Sequence, residues 1–239
     1  MSDMTGSGRI WLALDVDSRA AAEAIMADLP GHHDFKVGMQ LFFRLGPDIV
    51  RRWIGDGQRI FLDLKLYDIP HTVGEAVRAV DALGVELLTI HVSGGAAMLS
   101  AAREAARSTR LIGVTVLTSA DPDTLRTVGL FEPLPTVVGR LTRLAESAGL
   151  DGVVVSGEEV GAVAGTWPGS RRVVPGIRFG AAPPNDQARV IAPGEARRRG
   201  TTDLVVGRAV TAAPNRRAAY QQLWALWEEG DSIYGGRNA

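Results

Sequence analysis

Arg59-Ile-Phe-Leu-Asp-Leu-Lys-Leu-Tyr-Asp-Ile-Pro-His-Thr72 is the stretch around which the rest of the chain arranges itself. Residues 60–66 read as a strand: short, apolar and followed by a turn marked by Ile69-Pro70. Side chains alternate along a strand, so Phe61, Asp63 and Lys65 share one face and Leu62, Leu64 and Leu66 the other. The leucine face suits packing beneath helices. The opposite face sets an acid and a base two residues apart, in a segment too apolar for an ordinary surface. Taking such ions out of water costs several kcal/mol each. Asp68 adds a second carboxylate at the strand's C-terminal end. A satisfied ion pair closing a strand end is the plain alternative, but three charges in an apolar frame point to chemistry.

Working outward, residues 10–16 form a continuous apolar run ending near Asp15, which reads as a buried strand. Ser18 suits the N-cap of an Ala-rich helix reaching about residue 29. Residues 35–39 are a second strand with Lys36 inside it, and a helix is expected over 40–54, stopped by Gly55. After the quoted strand, a helix over 72–83 stops at Gly84. Strands follow over 87–92, 111–118, 152–157, 172–177 and 203–210, separated by helical or turn-rich pieces. Residues 178–190 read as a loop, and an amphipathic helix to about 229 closes the chain.

That makes eight strands alternating with helices without a linker-like break, which implies parallel strands joined by right-handed crossovers. In 239 residues of 46% hydrophobic content, eight such units fit one α/β domain, a closed (β/α)8 TIM barrel, better than an open doubly wound sheet. Residues 9–239 are expected to form that domain and residues 1–8 a flexible polar leader outside it. No Gly-x-Gly-x-x-Gly follows the first strand, which weighs against a dinucleotide fold. The net charge of -1, from 26 basic and 27 acidic residues, supplies no global field for nucleic acid or an anionic membrane. The absence of cysteine excludes disulfides, thiolate nucleophiles and Cys-bound zinc. No apolar run approaches the ~18 residues of a membrane span, and residues 1–8 lack the apolar core of a signal peptide. A cytoplasmic protein is expected, with neither nucleic acid nor membrane as a partner.

Barrels of this kind carry their active site at the C-terminal ends of the strands. In or just after its strands the chain collects Asp15, Lys36, Asp63, Lys65, Asp68, His91, Thr118, Arg178 and Arg208. Val206-Gly-Arg-Ala209 stands where such barrels often frame a phosphate with loop backbone and a short helix N-terminus. Gly207 permits close approach to the backbone, and Arg208 offers a planar donor fork for phosphate oxygens. Gln187, in the loop after the seventh strand, can fold over the same group. His91 reads as a core residue, since His32, His33 and His71 show no ligand spacing relative to it. Lys65 competes with Mg²⁺ for the charge of Asp63 and Asp68, so no metal is expected.

Phe61-Leu-Asp-Leu-Lys-Leu-Tyr-Asp-Ile-Pro-His-Thr72 resembles the signature of the orotidine 5′-phosphate decarboxylase family, bacterial type, usually Asp-x-Lys-x-x-Asp-Ile-Pro-Asn-Thr. The resemblance runs in order through Leu12-Ala-Leu-Asp-Val16, Phe35-Lys-Val-Gly38, Val114-Thr-Val-Leu-Thr118, Val174-Pro-Gly-Ile-Arg178, Asp186-Gln187 and Val206-Gly-Arg208. Two departures stand out. His71 replaces the usual Asn, and Phe179-Gly-Ala-Ala-Pro is not the commonest loop after the seventh strand. Neither removes a charged catalytic position.

The resemblance implies conversion of orotidine 5′-phosphate to UMP and CO₂, in de novo pyrimidine synthesis, without metal or organic cofactor. It implies that Lys65 delivers a proton to C6 of the pyrimidine and that Asp63 and Asp68 complete the catalytic charged network. It implies a homodimer in which Asp68, Ile69 and Thr72 serve the neighbouring subunit's site. By the same match Asp15 and Lys36 hold ribose hydroxyls, Thr118 contacts the base, and Arg178, Gln187, Gly207 and Arg208 surround the phosphate. Two other readings share parts of the pattern. One is a metal-dependent phosphosugar decarboxylase, such as that acting on 3-keto-gulonate phosphate, which Mg²⁺ dependence would mark. The other is a non-catalytic barrel that senses UMP, which would bind without turnover.

Overall fold

A computed structural model of the chain describes residues 8–180 and 190–232. Its strands are β1 (Arg9–Ala13), β2 (Asp34–Gly38), β3 (Arg59–Leu66), β4 (Leu87–His91), β5 (Arg110–Val114), β6 (Gly152–Val154), β7 (Arg171–Val174) and β8 (Asp203–Val206). Each pairs in parallel with the next, and β1 also pairs with β8, so the sheet closes on itself as an eight-stranded barrel. The helices are α1 (Arg19–Asp28), α2 (Met39–Leu45), α3 (Pro47–Gly55), α4 (Pro70–Asp81), α5 (Gly95–Ala105), α6 (Pro122–Thr127), α7 (Leu134–Ser147), α8 (Val160–Thr166), α9 (Pro193–Arg198), α10 (Arg208–Thr211) and α11 (Arg216–Ser232).

The period of two along each strand divides the core in two. Leu12, Phe35, Leu62, Leu88, Leu111 and Leu204 point outward into the layer shared with the helices. Trp11, Phe61, Leu87, Ile112 and Val173 point inward and form a separate buried cluster that plugs the barrel. The strands' N-terminal end is closed by polar groups. Asp203 is fully buried there; it accepts from Trp11 Nε1 at 2.8 Å and from Thr202 Oγ1 at 2.7 Å, and pairs with Arg171 through two nitrogens. With that end sealed, open space is left to the other.

Local sequence sets the element ends. Ser18 caps α1, its Oγ accepting from Ala21 N at 3.3 Å. The helix expected over 40–54 is instead two helices. Gly46 between them takes φ 72°, a left-handed backbone that glycine adopts without a Cβ clash, and Pro47, lacking an N–H, can only start α3. The strand expected over 203–210 ends at Val206, and Arg208 opens the short helix α10. The strands expected over 10–16, 111–118, 152–157 and 172–177 likewise leave the ladder early, and their last residues form the rim of the open end.

Candidate active site

A cavity of ≈ 510 Å³ lies at the C-terminal ends of the strands, its floor made by Phe61, Val114, Val154, Val173 and Val205. Asp15, Lys36, Asp63, Lys65, Thr118, Arg178, Gly207 and Arg208 all line it. They come from β1, β2, β3, β5, β7 and β8 or the residues just past them, so only barrel closure brings them together. Gln187 lies outside the described residues. Asp68, Ile69 and Thr72 are exposed and do not line this cavity; Asp68 Oδ1 accepts from Ile69 N at 2.6 Å.

Along one wall the charges alternate. Lys36 Nζ stands 3.0 Å from Asp15 Oδ1 and 3.7 Å from Asp63 Oδ2. Lys65 Nζ donates to both oxygens of Asp63, at 2.8 and 2.9 Å. The Asp63 side chain is only 15% exposed and that of Lys36 9%, so water screens this row weakly. Burial pushes the Asp63 carboxyl up, but the Lys36 and Lys65 ammonium groups and the hydrogen bonds from Lys65 and Thr89 outweigh it and hold it below the ordinary value. Ions stripped of water are a weak device for stability, since apolar side chains of equal volume would often serve as well. The row is better understood as a preorganised field facing the cavity.

The Lys65 backbone is itself unusual. At φ 49° it is the one non-glycine residue with positive φ among the described residues, a conformation that costs an L-residue roughly 1–2 kcal/mol. The cause lies in the β3–β4 pairing. Leu62 pairs with Leu88 and Leu66 with Ile90, so four steps along β3 answer two along β4, and the excess bulges. A bulge re-aims the side chain it carries. Here the side chain is Lys65.

On the far side of the cavity, the start of the segment after β7 is tied down where Arg178 N donates to Ile191 O at 3.0 Å. Gly207 is the residue before α10, and a Cβ added there would meet only Ala13 and Asp15, at 3.7 and 3.8 Å. What such a Cβ would take is cavity space. Arg178 and Arg208 thus both line the cavity, and Gly207 lies beside Asp15 of the charged row. Residues 8–223 match the family model described as Orotidine 5'-phosphate decarboxylase / HUMPS family. The chain belongs to this family.

Among curated orotidine 5'-phosphate decarboxylases, that of Syntrophotalea carbinolica is 43% identical over 93% of this chain and 97% of its own. That of Anaeromyxobacter sp. strain K is 47% identical over 93% of this chain and 99% of its own. The crystal structure of orotidine 5'-phosphate decarboxylase from Lactobacillus acidophilus superposes with a TM-score of 0.83 at 31% identity, covering 92% of this chain and 99% of that one. In this member of the family, Lys36 and Lys65 are the only lysines in the whole chain; every other one of its 26 basic residues is arginine. That count is visible before any fold is known.

Sequence reasoning missed Thr89. It is fully buried on β4, accepts from Lys65 N at 2.9 Å and donates to Asp63 Oδ1 at 2.8 Å. Strand alternation puts Leu87, Thr89 and His91 on the inward face of β4, but only the β3–β4 register, which neither strand's sequence reports, sets Thr89 level with the Lys65 bulge. His91 itself lines a neighbouring cavity of ≈ 580 Å³ with Tyr67, ring centroids 5.6 Å apart. Burial and the Lys65 ammonium push its imidazole below the usual value. Among the described residues no three His, Asp or Glu side chains gather as a metal site, and no helix is long and apolar enough to cross a membrane.

Proposed function

We propose that this chain is an orotidine 5′-phosphate decarboxylase, a carboxy-lyase that makes UMP and CO₂, and that it acts without metal or organic cofactor. The observation that carries the reading is the Lys65 ammonium, doubly hydrogen-bonded to Asp63 in a cavity that Arg178 and Arg208 also line. Loss of CO₂ breaks the bond from C6 to the carboxylate and leaves its electron pair on C6, an sp² carbon that the ring delocalises poorly. An ammonium already aimed at that carbon stabilises the charge as it forms and then hands over a proton. Lys65 is assigned that role, and water returns the proton to it afterwards. Asp63 and Asp68 orient the ammonium. Asp15 and Lys36 take the ribose hydroxyls, with Thr118 at the base.

Arg178, Gly207, Arg208 and Gln187 are assigned to the phosphate. Binding energy gained there, remote from C6, serves the transition state if it holds the substrate against the charged row. Arg208→Ala is expected to raise KM for orotidine 5′-phosphate roughly 10- to 100-fold, the loss of a charged hydrogen bond, with a smaller change in kcat. Steady-state kinetics check this, and an unchanged KM takes Arg208 out of the phosphate site.

A homodimer completes the reading. Asp68, Ile69 and Thr72 stand outside their own chain's cavity, which supports their serving a partner's. Ile69 is 65% and Phe43 75% exposed. They belong to the segments that follow the neighbouring strands β3 and β2 at the same end of the barrel, an apolar rim suited to a second copy.

The test of the whole is turnover of orotidine 5′-phosphate by purified protein in excess EDTA, followed by absorbance. Conversion to UMP is the expected result. No conversion, with activity on phosphosugars when Mg²⁺ is added, would move the assignment to the metal-dependent relatives; binding of UMP without any turnover would make the barrel a sensor.

A further inference from the structure

We infer that Thr89 is a positioning residue for the proton donor: its hydroxyl pins the bulged Lys65 backbone to the Asp63 carboxylate and so aims Lys65 Nζ into the cavity. This rests on the decarboxylase reading and adds to it a residue that touches no substrate. A hydroxyl has one proton to give. Lys65 N–H approaches the Thr89 oxygen at 2.9 Å and takes a lone pair, which turns the hydroxyl proton toward Asp63 Oδ1, 2.8 Å away. Thr89 is therefore a donor to Asp63, and Asp63 meets it as an acceptor, the ionised form that also receives Lys65.

The bulge makes this bond necessary. Between the Leu62–Leu88 and Leu66–Ile90 pairs the β3–β4 ladder is interrupted, and within that gap Lys65 N–H finds the Thr89 side chain. Thr89 has no exposed surface, so water has no route to replace its hydroxyl, and a backbone N–H left without a partner there is costly. The same Asp63 oxygen, Oδ1, receives both Thr89 and Lys65. Three groups thus hold one another: the Lys65 N–H, the Thr89 hydroxyl and the Asp63 carboxylate that grips Lys65 Nζ. Without Thr89 the positive φ at Lys65 loses a restraint, and the ammonium loses the fixed carboxylate that orients it.

The test compares Thr89→Val, which keeps the shape and removes the hydroxyl, with Thr89→Ser, which keeps the hydroxyl. Thr89→Ala takes the place of Thr89→Val if the latter does not fold. The wild-type chain is assayed in parallel, and kcat is expressed per folded protein by circular dichroism. The hydroxyl-free variant is expected to lose roughly 10- to 100-fold in kcat, the effect of one hydrogen bond to a charged group, with KM within about threefold of wild type. Thr89→Ser is expected to stay within about threefold in kcat. Because Thr89 helps hold the Asp63 carboxyl down, its loss also moves the acidic limb of the kcat–pH profile to higher pH. A hydroxyl-free variant with wild-type kcat and pH profile overturns the inference while leaving the decarboxylase reading intact. So does a Thr89→Ser variant that falls as far as Thr89→Val, since packing and not the hydroxyl would then be at issue. No turnover by the wild-type chain overturns both.

Discussion

Lys65→Ala is expected to lower kcat for orotidine 5′-phosphate by at least about 10⁴-fold, because the substitution removes electrostatic stabilisation of the C6 charge and the proton donor together. Among the described residues no other ammonium stands ready to substitute. Lys36 is engaged with Asp15 at 3.0 Å and stands 3.7 Å from Asp63, and the other residues counted as basic are arginines. The arginines frame a second variant. Lys65→Arg keeps a cation on Asp63, but a guanidinium does not give up a proton near neutral pH and spreads its charge over a plane. It is expected to fail nearly as completely as alanine. If Lys65→Arg were to retain a tenth of wild-type kcat, the charge alone would carry the reaction and the proton-donor role would fall.

The fold should survive Lys65→Ala. Asp63 keeps its Thr89 hydrogen bond and the Lys36 ammonium at 3.7 Å. Removing one partner of a fully buried pair costs about 3–5 kcal/mol, but Lys65 has 29% of its side chain open to solvent, which brings the expected cost nearer ~1–3 kcal/mol. For a chain of this size that lowers Tm by about 2–12 °C. Circular dichroism melts alongside the kinetics separate a folded, inactive enzyme from an unfolded one.

The barrel was legible because every unit repeated the same two signals, a short apolar run and a helix with a stop. Where the signals were local, so were the errors. The apolar pattern continues across Gly46-Pro47, and only a positive φ beside a residue without an N–H splits the helix there. Val206-Gly-Arg-Ala-Val210 reads as more strand, yet the chain turns at Gly207 and begins α10. The charged row was legible for the opposite reason: Asp63 and Lys65 lie two apart on one strand, Lys36 lies within the strand before it, and Asp15 follows just after the first. Thr89 was not, since nothing about a threonine in Leu87-Leu-Thr-Ile-His91 reports a neighbour 24 residues earlier. Its role depends on the register between β3 and β4 and on the bulge that shifts it. Register is a property of two strands, and the sequence of either one is silent about it.

Mixing inactive Lys65→Ala chains with inactive Asp68→Ala chains is expected to restore activity, to about a quarter of the wild-type value per chain at equal amounts with random pairing. In the shared-site reading each site takes Asp63 and Lys65 from one chain and Asp68 from its partner. A mixed dimer then holds one site with both groups missing and one with both present, and half of all dimers are mixed. If Asp68 served its own chain, every site in every dimer would lack either Lys65 or Asp68, and mixing would restore nothing. The arrangement around Asp68 favours the first case. Asp68 is exposed beside the turn into α4, outside the cavity that Asp63 and Lys65 line, while the adjoining Tyr67 and Ile69 present apolar surface to solvent. A carboxylate so placed gains a buried cation as its partner only when a second barrel comes to meet it. The mixture must be shown by tagged co-purification to contain mixed dimers. Activity that stays at the level of the separate variants in those dimers would return Asp68 to its own chain, and with it the need for the β3–α4 turn to fold inward over the site.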